Sequence, residues 1–320
     1  MRTYLCISID CECDKGPEWR TQKPLAFSGI SQGIKDRLQP LFQRFRAKPT
    51  YLISPEVLRD SQSVDILEGL EGEAELGTHL HVEFAEPGAF VPDVTSAFQC
   101  HCNRETEQQK LRYLTDIFHN AFRRPPRSFR AGRFGIGPHS LGLLQELGYT
   151  VDSSVTPHMD WTRAGAPEAS FLHASTQPYR PNLHRPELAA PQDGALLEVP
   201  VTIRPGAFSG MPFIGCWAGA RWLRPTRGNV DRLISLAREE VTATASLGLP
   251  IVLNCMFHNV EVVARASPYA QSEAEASGIL ERLGGLLAWA DNEGIGSLGL
   301  SDVAELFARS DTEMVCGAVA

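Results

Sequence analysis

The chain has 320 residues, 43% of them hydrophobic, enough to bury a large core as one big α/β domain or two ordinary ones. Charged residues make up 21% and the formal net charge is −8, a balance that excludes a general binder of the nucleic-acid backbone, which needs a basic face. No stretch approaches the ~20 consecutive apolar residues that span a bilayer. The apolar start Met1–Ile9 meets Asp10 too soon to serve as a signal-peptide core, so a cytoplasmic protein is expected.

Tyr4–Asp10 reads as the first strand, bounded by the turn-rich Asp14-Lys15-Gly16-Pro17. A helical stretch over Gln32–Ala47 ends before Pro49. Thr50–Ile53 reads as a strand, Val64–Glu71 as a short helix and Glu75–His81 as a strand again. Thr106–Phe122 is amphipathic, with Leu111, Leu114, Ile117, Phe118 and Phe122 at helical spacing, and Pro125-Pro126 breaks it. Ser128–Ala131 is a short strand, and a helix over His139–Leu147 stops at Gly148. Strands are expected at Thr150–Ser153, Leu196–Ile203, Ile251–Phe257 and Ser297–Leu300, and helices at Arg232–Leu247 and Glu273–Asn292. Ser301-Asp302 caps a closing helix to Ala308.

This alternation predicts a mostly parallel sheet with helices outside it. No linker divides the chain, which points to one barrel-like domain over 1–310 followed by a tail, 311–320. An open doubly wound sheet is the alternative, but its glycine-rich phosphate fingerprint is absent. The Pro-, His-, Arg- and Ala-rich stretch Thr156–Ala195 is expected to be a long ordered excursion near the ligand face.

Four segments carry residues with chemistry to offer. At the end of the first strand, period-2 alternation puts Asp10 and Glu12 on one face and Cys11 on the other. Two buried carboxylates so close need a metal, a cation or a shared proton. His79 and His81 share a face after a second strand, a frequent way to supply two imidazole nitrogens to zinc, with Glu83 as an alternative ligand if the chain turns helical. Arg130 ends a third strand, where it can hold a carboxylate, and the glycines that follow let backbone N–H groups approach an oxyanion. His258 ends a fourth strand as a candidate general acid, and Asp152 is the carboxylate expected to pair with it. The eight cysteines include C-x-C pairs, Cys11/Cys13 and Cys100/Cys102, not the C-x-x-C of a zinc ribbon. Reduced thiols are expected, with a structural zinc site built from both pairs as the rival.

These residues, in this order, resemble the polysaccharide deacetylase family (carbohydrate esterase family 4, the NodB-homology domain). Asp10-Cys11-Glu12 is similar to its opening acidic motif, His79-Leu80-His81 to its histidine motif, Arg130–Phe134 to its arginine motif, Asp152 to its aspartate motif and His258 to its final histidine. The likeness spans about residues 3–308. Glu83 stands where the family's usual second histidine falls, Gly132 where it has proline, and Trp161 lies farther from Asp152 than the aspartate–tryptophan motif requires. The features look most like the branch associated with lipopolysaccharide or capsule sugar synthesis.

The resemblance implies a distorted (β/α) barrel of about seven strands and one divalent metal, zinc by preference, on Glu12, His79 and His81. It implies Asp10 as general base held by Arg130, His258 as general acid, and Arg133, Phe134 and Trp161 as substrate contacts. The implied reaction is removal of an acetyl group from an amino sugar; without an export signal, a nucleotide- or lipid-linked precursor is the expected substrate rather than a mature wall polymer. Hydrolysis of a ureide or imide by the same site, or a catalytically silent sugar-binding role, are the alternatives.

Overall fold

A computed structural model of the chain describes residues 2–88, 97–167, 169–206 and 219–317, and the side chains of these up to residue 309. The strands are β1 (Thr3–Cys11), β2 (Thr50–Ile53), β3 (Glu75–Leu80), β4 (Ser128–Ala131), β5 (Val151–Asp152), β6 (Leu197–Glu198), β7 (Ile203–Arg204), β8 (Arg221–Trp222), β9 (Ile251–His258) and β10 (Gly296–Ser297). Seven of them lie in the order β9-β1-β2-β3-β4-β5-β6, every neighbouring pair parallel, and β10 lies beside the start of β1. The curled sheet is the distorted (β/α) barrel anticipated from the sequence.

The barrel is open between β6 and β9. Thr202 N–H donates to Asn254 O (3.0 Å) across that gap. Gln177, from the excursion after β5, supplies both halves of a missing strand: Val252 N–H donates to its Oε1 at 2.8 Å and its Nε2 donates to Val252 O at 3.3 Å. The expected strand Leu196–Ile203 is split, because Pro200 has no N–H for the ladder. After it, β7 turns away to pair antiparallel with β8.

The helices are α1 (Gln39–Phe45, entered through a wide π-type stretch Gly29–Leu38), α2 (Pro55–Leu58), α3 (Ser61–Glu68), α4 (Arg104–Phe122), α5 (Ser140–Glu146), α6 (Val230–Thr244), α7 (Glu273–Asn292) and α8 (Leu300–Gly317). Local capping sets several starts: Asn103 accepts from Thr106 N–H (2.8 Å) before α4, and Ser272 and Glu275 form a reciprocal capping box before α7. Helix α8 runs past the expected stop at Ala308, and residues 318–320 of the expected tail lie outside the described residues. No described helix is long and apolar enough to cross a membrane.

Strand alternation sorts the side chains into two faces. Leu5, Ile7, Ile9, Tyr51, Phe129, Leu253 and Phe257 face outward, in the main core under the helices. Cys6, Leu52, Val151, Leu197 and Val252 face inward, where Leu300, Val303 and Phe307 of α8 plug the lower end. Above that apolar floor lies a polar layer: Ser8 donates to Asn254 Oδ1 (2.7 Å), and Asn254 Nδ2 donates to Ser153 Oγ (3.1 Å). The charged residues come next, at the carboxyl ends of the strands, where barrels of this kind place their ligand sites.

Candidate active site and metal centre

The interior face of β1 continues upward from Ser8 to Asp10 and then to Glu12. Strand register puts Asp10 beside His258 of β9, and His79 of β3 beside Arg130 of β4. Four strand ends therefore converge, and Asp10, Glu12, His79, His81 and Arg130 are all buried.

Asp10 and Arg130 form the base of the cluster. Arg130 is fully buried and each of its nitrogens has a partner: Nη1 donates to Asp10 Oδ1 (2.7 Å), Nη2 to Ser8 Oγ (2.7 Å) and Ser153 Oγ (2.9 Å), and Nε to Ser153 O (2.8 Å). Burial pushes the Asp10 carboxyl up, but the guanidinium, with His79 and His258, overrides that and holds it below its ordinary value. Oδ1 is committed to arginine, so Oδ2 is the available oxygen, 3.9 Å from His79 Nε2 and 3.8 Å from His258 Nε2.

Glu12 Oε1 is where His79 of β3 and His81, just past its end, meet, at 3.3 Å from His79 Nε2 and 3.0 Å from His81 Nε2. Each ring is fixed from behind. His79 Nδ1 lies 3.0 Å from Arg130 O, and His81 Nδ1 lies 3.1 Å from Glu83 Oε1. Those acceptors require the proton on Nδ1, which leaves Nε2 with its lone pair on the Glu12 side. One carboxylate oxygen and two imidazole nitrogens within 4.8 Å of one another suit a zinc-like cation. Burial lowers the His81 imidazolium, but Glu12 and Glu83 raise it, and the outcome is a pKa of about 9.

Glu83 therefore lies behind His81 and braces it. Arg133 holds Glu83 in turn (Nη2 to Oε1, 2.8 Å) and donates to Ala97 O (3.1 Å), so the arginine expected to contact substrate is engaged by protein. A Cβ at Gly132 would lie 2.6 Å from Leu80 O, so the position is shaped for glycine. The next two residues, Arg133 and Phe134, both have φ of 56°, a left-handed conformation costly for side-chain-bearing residues. Phe134 stacks on Trp161 (centroids 5.6 Å apart) and lies against Trp222 (5.8 Å), forming an apolar wall with Met256 beside the charged cluster. The structure thus brings Phe134 and Trp161 together.

The expected pair of Asp152 with His258 is corrected. Asp152 is on the outer face of β5, accepting from Ser154 Oγ (2.6 Å) and lying beside its register neighbour Glu198. The acid beside His258 is Glu261, whose Oε1 lies 2.8 Å from His258 Nδ1 and accepts from the His258 N–H (3.1 Å). Burial raises the Glu261 carboxyl, but Arg224 and His258 bring it down to about 2. Arg224 and Thr226 both donate to it, and Tyr269 lies beneath the Arg224 guanidinium at 4.9 Å. The spacing H-x-x-E is legible in the sequence; Arg224, some thirty residues away, carries no sequence signal.

Two further supports were not foreseen. Asn259 pins the Glu12 backbone from both sides (Glu12 N–H to Oδ1, 3.0 Å; Nδ2 to Glu12 O, 3.1 Å). Lys15, read from sequence only as part of a turn, is buried with Nζ 2.9 Å from Glu12 Oε2. The two C-x-C pairs do not assemble a metal site: Cys11 and Cys13 are buried thiols, Cys100 and Cys102 half-buried ones. Among the described residues, Glu12, His79 and His81 are the one group of three or more metal-ligand side chains.

No family model matches the sequence, and no curated protein matches it. Solved structures share its fold. A proposed polysaccharide deacetylase from Mycobacterium smegmatis aligns over 97% of this chain and 92% of its own with TM-score 0.56 and 17% identity. A proposed glycoside hydrolase/deacetylase from Parabacteroides distasonis aligns over 96% and 71% with TM-score 0.61 and 11% identity. An allantoinase aligns over 96% and 89% with TM-score 0.57 and 13% identity. At these identities the likeness is one of fold.

Proposed function

We propose that the chain is a metal-dependent hydrolase that removes an N-acyl group, acetyl in the simplest case, from an amino sugar. The observation that carries the reading is the division of labour at the mouth. One buried acid, Asp10, is ionised and keeps an oxygen free, while its neighbour Glu12 joins two histidine Nε2 atoms that are fixed from behind. The polysaccharide deacetylase resemblance and the names of two fold neighbours support the same chemistry.

Glu12 Oε1, His79 Nε2 and His81 Nε2 would hold one divalent cation, zinc by donor type, which supplies a Lewis acid and makes a nearby water more acidic. Asp10 Oδ2 takes the proton of the attacking water, and the Arg130 clamp on Oδ1 keeps that oxygen aimed at the site. A backbone N–H near Phe134 is assigned to the oxyanion. Glu261 holds Nδ1 of His258, so Nε2 faces Asp10 and hands its proton to the leaving amine. Phe134, Trp161 and Trp222 offer an aromatic wall to the sugar or its acyl group. A cytoplasmic enzyme of this kind would act on a nucleotide- or lipid-linked precursor of cell-surface polysaccharide or lipopolysaccharide.

The allantoinase among the fold neighbours gives a second reading, opening of a ureide or imide by the same residues. Metal analysis together with acetate release separates the two. We expect one zinc per chain, lost in His79→Ala without unfolding, and acetate released in step with free amine from N-acetylhexosamine nucleotides or lipid-linked sugars. A zinc-loaded protein that leaves all of these intact but consumes allantoin would overturn the deacetylase reading.

A further inference from the structure

We propose that Lys15 is a positioning residue that confines Glu12 to ligation through a single oxygen, leaving the cation more open to water and substrate. The inference rests on the metal reading given above. Lysine is among the side chains least often buried, and a buried one needs partners for its charge. The Lys15 side chain is 6% exposed and its Nζ has three polar neighbours: Glu12 Oε2 at 2.9 Å, Thr21 Oγ1 at 3.3 Å and Cys13 Sγ at 3.8 Å. The ring of Phe84 lies beneath it at 5.3 Å.

The backbone leaves the lysine little freedom to swing away. Lys15 N–H and Gly16 N–H both donate to Ala266 O, at 2.9 and 3.0 Å. Asp14, just before it, accepts from Ser28 N–H (3.1 Å) and Gly29 N–H (3.0 Å). Glu12 is equally fixed, by the two bonds of its main chain to Asn259. One carboxylate is thus divided between two clients, with Oε1 facing the histidines and Oε2 held by an ammonium on the other side.

A carboxylate free at both oxygens can chelate a cation and take up a coordination position that catalysis needs open. With Oε2 held by Lys15, Glu12 offers one donor, and the ammonium also tempers the attraction of the site for a divalent ion. A lysine that served only to staple the loop would act in the opposite direction: its loss would disorder Glu12 and weaken metal binding.

Lys15→Met keeps the aliphatic stem and removes the ammonium, and Lys15→Gln is a second variant whose shorter side chain loses the contact while remaining polar. Removing a positive charge this close to a divalent ion is expected to tighten cobalt(II) binding by about tenfold or more, measured by competition with a chromophoric chelator. The visible bands of the cobalt protein should weaken as Glu12 adds its second oxygen. In the wild type, the carboxylate stretches assigned by comparison with Glu12→Gln should show, on adding zinc, the wide splitting of one-oxygen ligation. Folded Lys15 variants with unchanged or weaker affinity and wild-type bands, or a narrow chelate splitting in the wild type, would overturn the role of Lys15 and leave the metal site standing. A wild type that takes up neither cobalt nor zinc would overturn the metal reading and this inference together.

Discussion

Two pairs of buried acids sit on opposite faces of the same sheet and ionise in opposite directions. Inside the barrel, Asp10 and Glu12 are both held below the ordinary carboxylate range although burial pushes them up. Outside it, Asp152 and Glu198 are as deeply buried, and both are raised, Glu198 well above its ordinary value. Burial is common to the four, so it does not decide the outcome; the placement of cations does. Arg130 is bonded to Asp10 at 2.7 Å and Lys15 lies 2.9 Å from Glu12, whereas the outer pair receives the Ser154 hydroxyl and N–H, the Val155 N–H (3.0 Å to Glu198 Oε1) and only a weaker pull from Arg130, with no direct cation contact among the described residues. The inner pair is ionised at neutral pH, as the proposed roles of base and ligand require. The outer pair is a neutral or singly charged tie between β5 and β6.

The comparison breaks most visibly if the cation of the inner pair is removed. Arg130→Met leaves Asp10 ionised without its ion-pair partner and takes one donor each from Ser8 and Ser153, so a loss of about 3–5 kcal/mol of unfolding free energy is expected at pH 7. The loss should be smaller at pH 5, where Asp10 escapes the penalty by taking up a proton. Urea unfolding at the two pH values measures both, and a loss below about 1 kcal/mol at pH 7, the level of an exposed ion pair, would mean that Arg130 is not what keeps Asp10 charged.

Asp10→Asn sharpens the same contrast without removing a cation. The amide keeps the size of the side chain and a carbonyl oxygen for Arg130, but it cannot accept a proton from water. Turnover on an active N-acetyl sugar should fall by about 10²–10⁴-fold, while the zinc content should be unchanged because Asp10 is not one of the three proposed ligands. Equal loss of zinc and activity would show instead that Asp10 serves the metal.

How much of this was legible in the sequence follows the range of the interactions. Period-2 alternation on β1 and β3 was enough to put Asp10 with Glu12, and His79 with His81, on shared faces, and the order of strand ends brought Arg130 and His258 to them. The sequence misassigns the partner of His258 because Asp152, like it, ends a strand, while the acid that reaches Nδ1 is three residues along the chain. Alternation itself argues for the correction: Val151 faces the barrel floor, so Asp152 must face out. Lys15 and Arg224 were out of reach for a different reason. Each acts across a loop whose path is set by tertiary contacts, such as the hold of Ala266 O on Lys15 and of Glu261 on Arg224.

The outer pair yields the subtlest effect. Asp152 Oδ2 and Glu198 Oε2 are buried and meet no donor among the described residues, and burial raises both carboxyls, Glu198 well above its ordinary value, so the folded pair is expected to retain one proton between them. In the unfolded chain both acids are ionised above about pH 5. The folded state therefore binds more protons than the unfolded state over the range above that, and stability must fall as pH rises. The contribution is whole below the ordinary carboxylate pKa and is lost progressively on the way up to the raised value of the pair. One retained proton gives a slope of about 1.4 kcal/mol per pH unit in that window. Glu198→Gln replaces the shared proton by a permanent N–H that can still reach Asp152, so its unfolding free energy should decline less between pH 5 and pH 8 than that of the wild type. Glu75 and Glu107, also raised by burial, slope both proteins equally and cancel in the difference. Two parallel stability curves would mean that no proton is shared and that the outer pair, like the inner one, has found a cation.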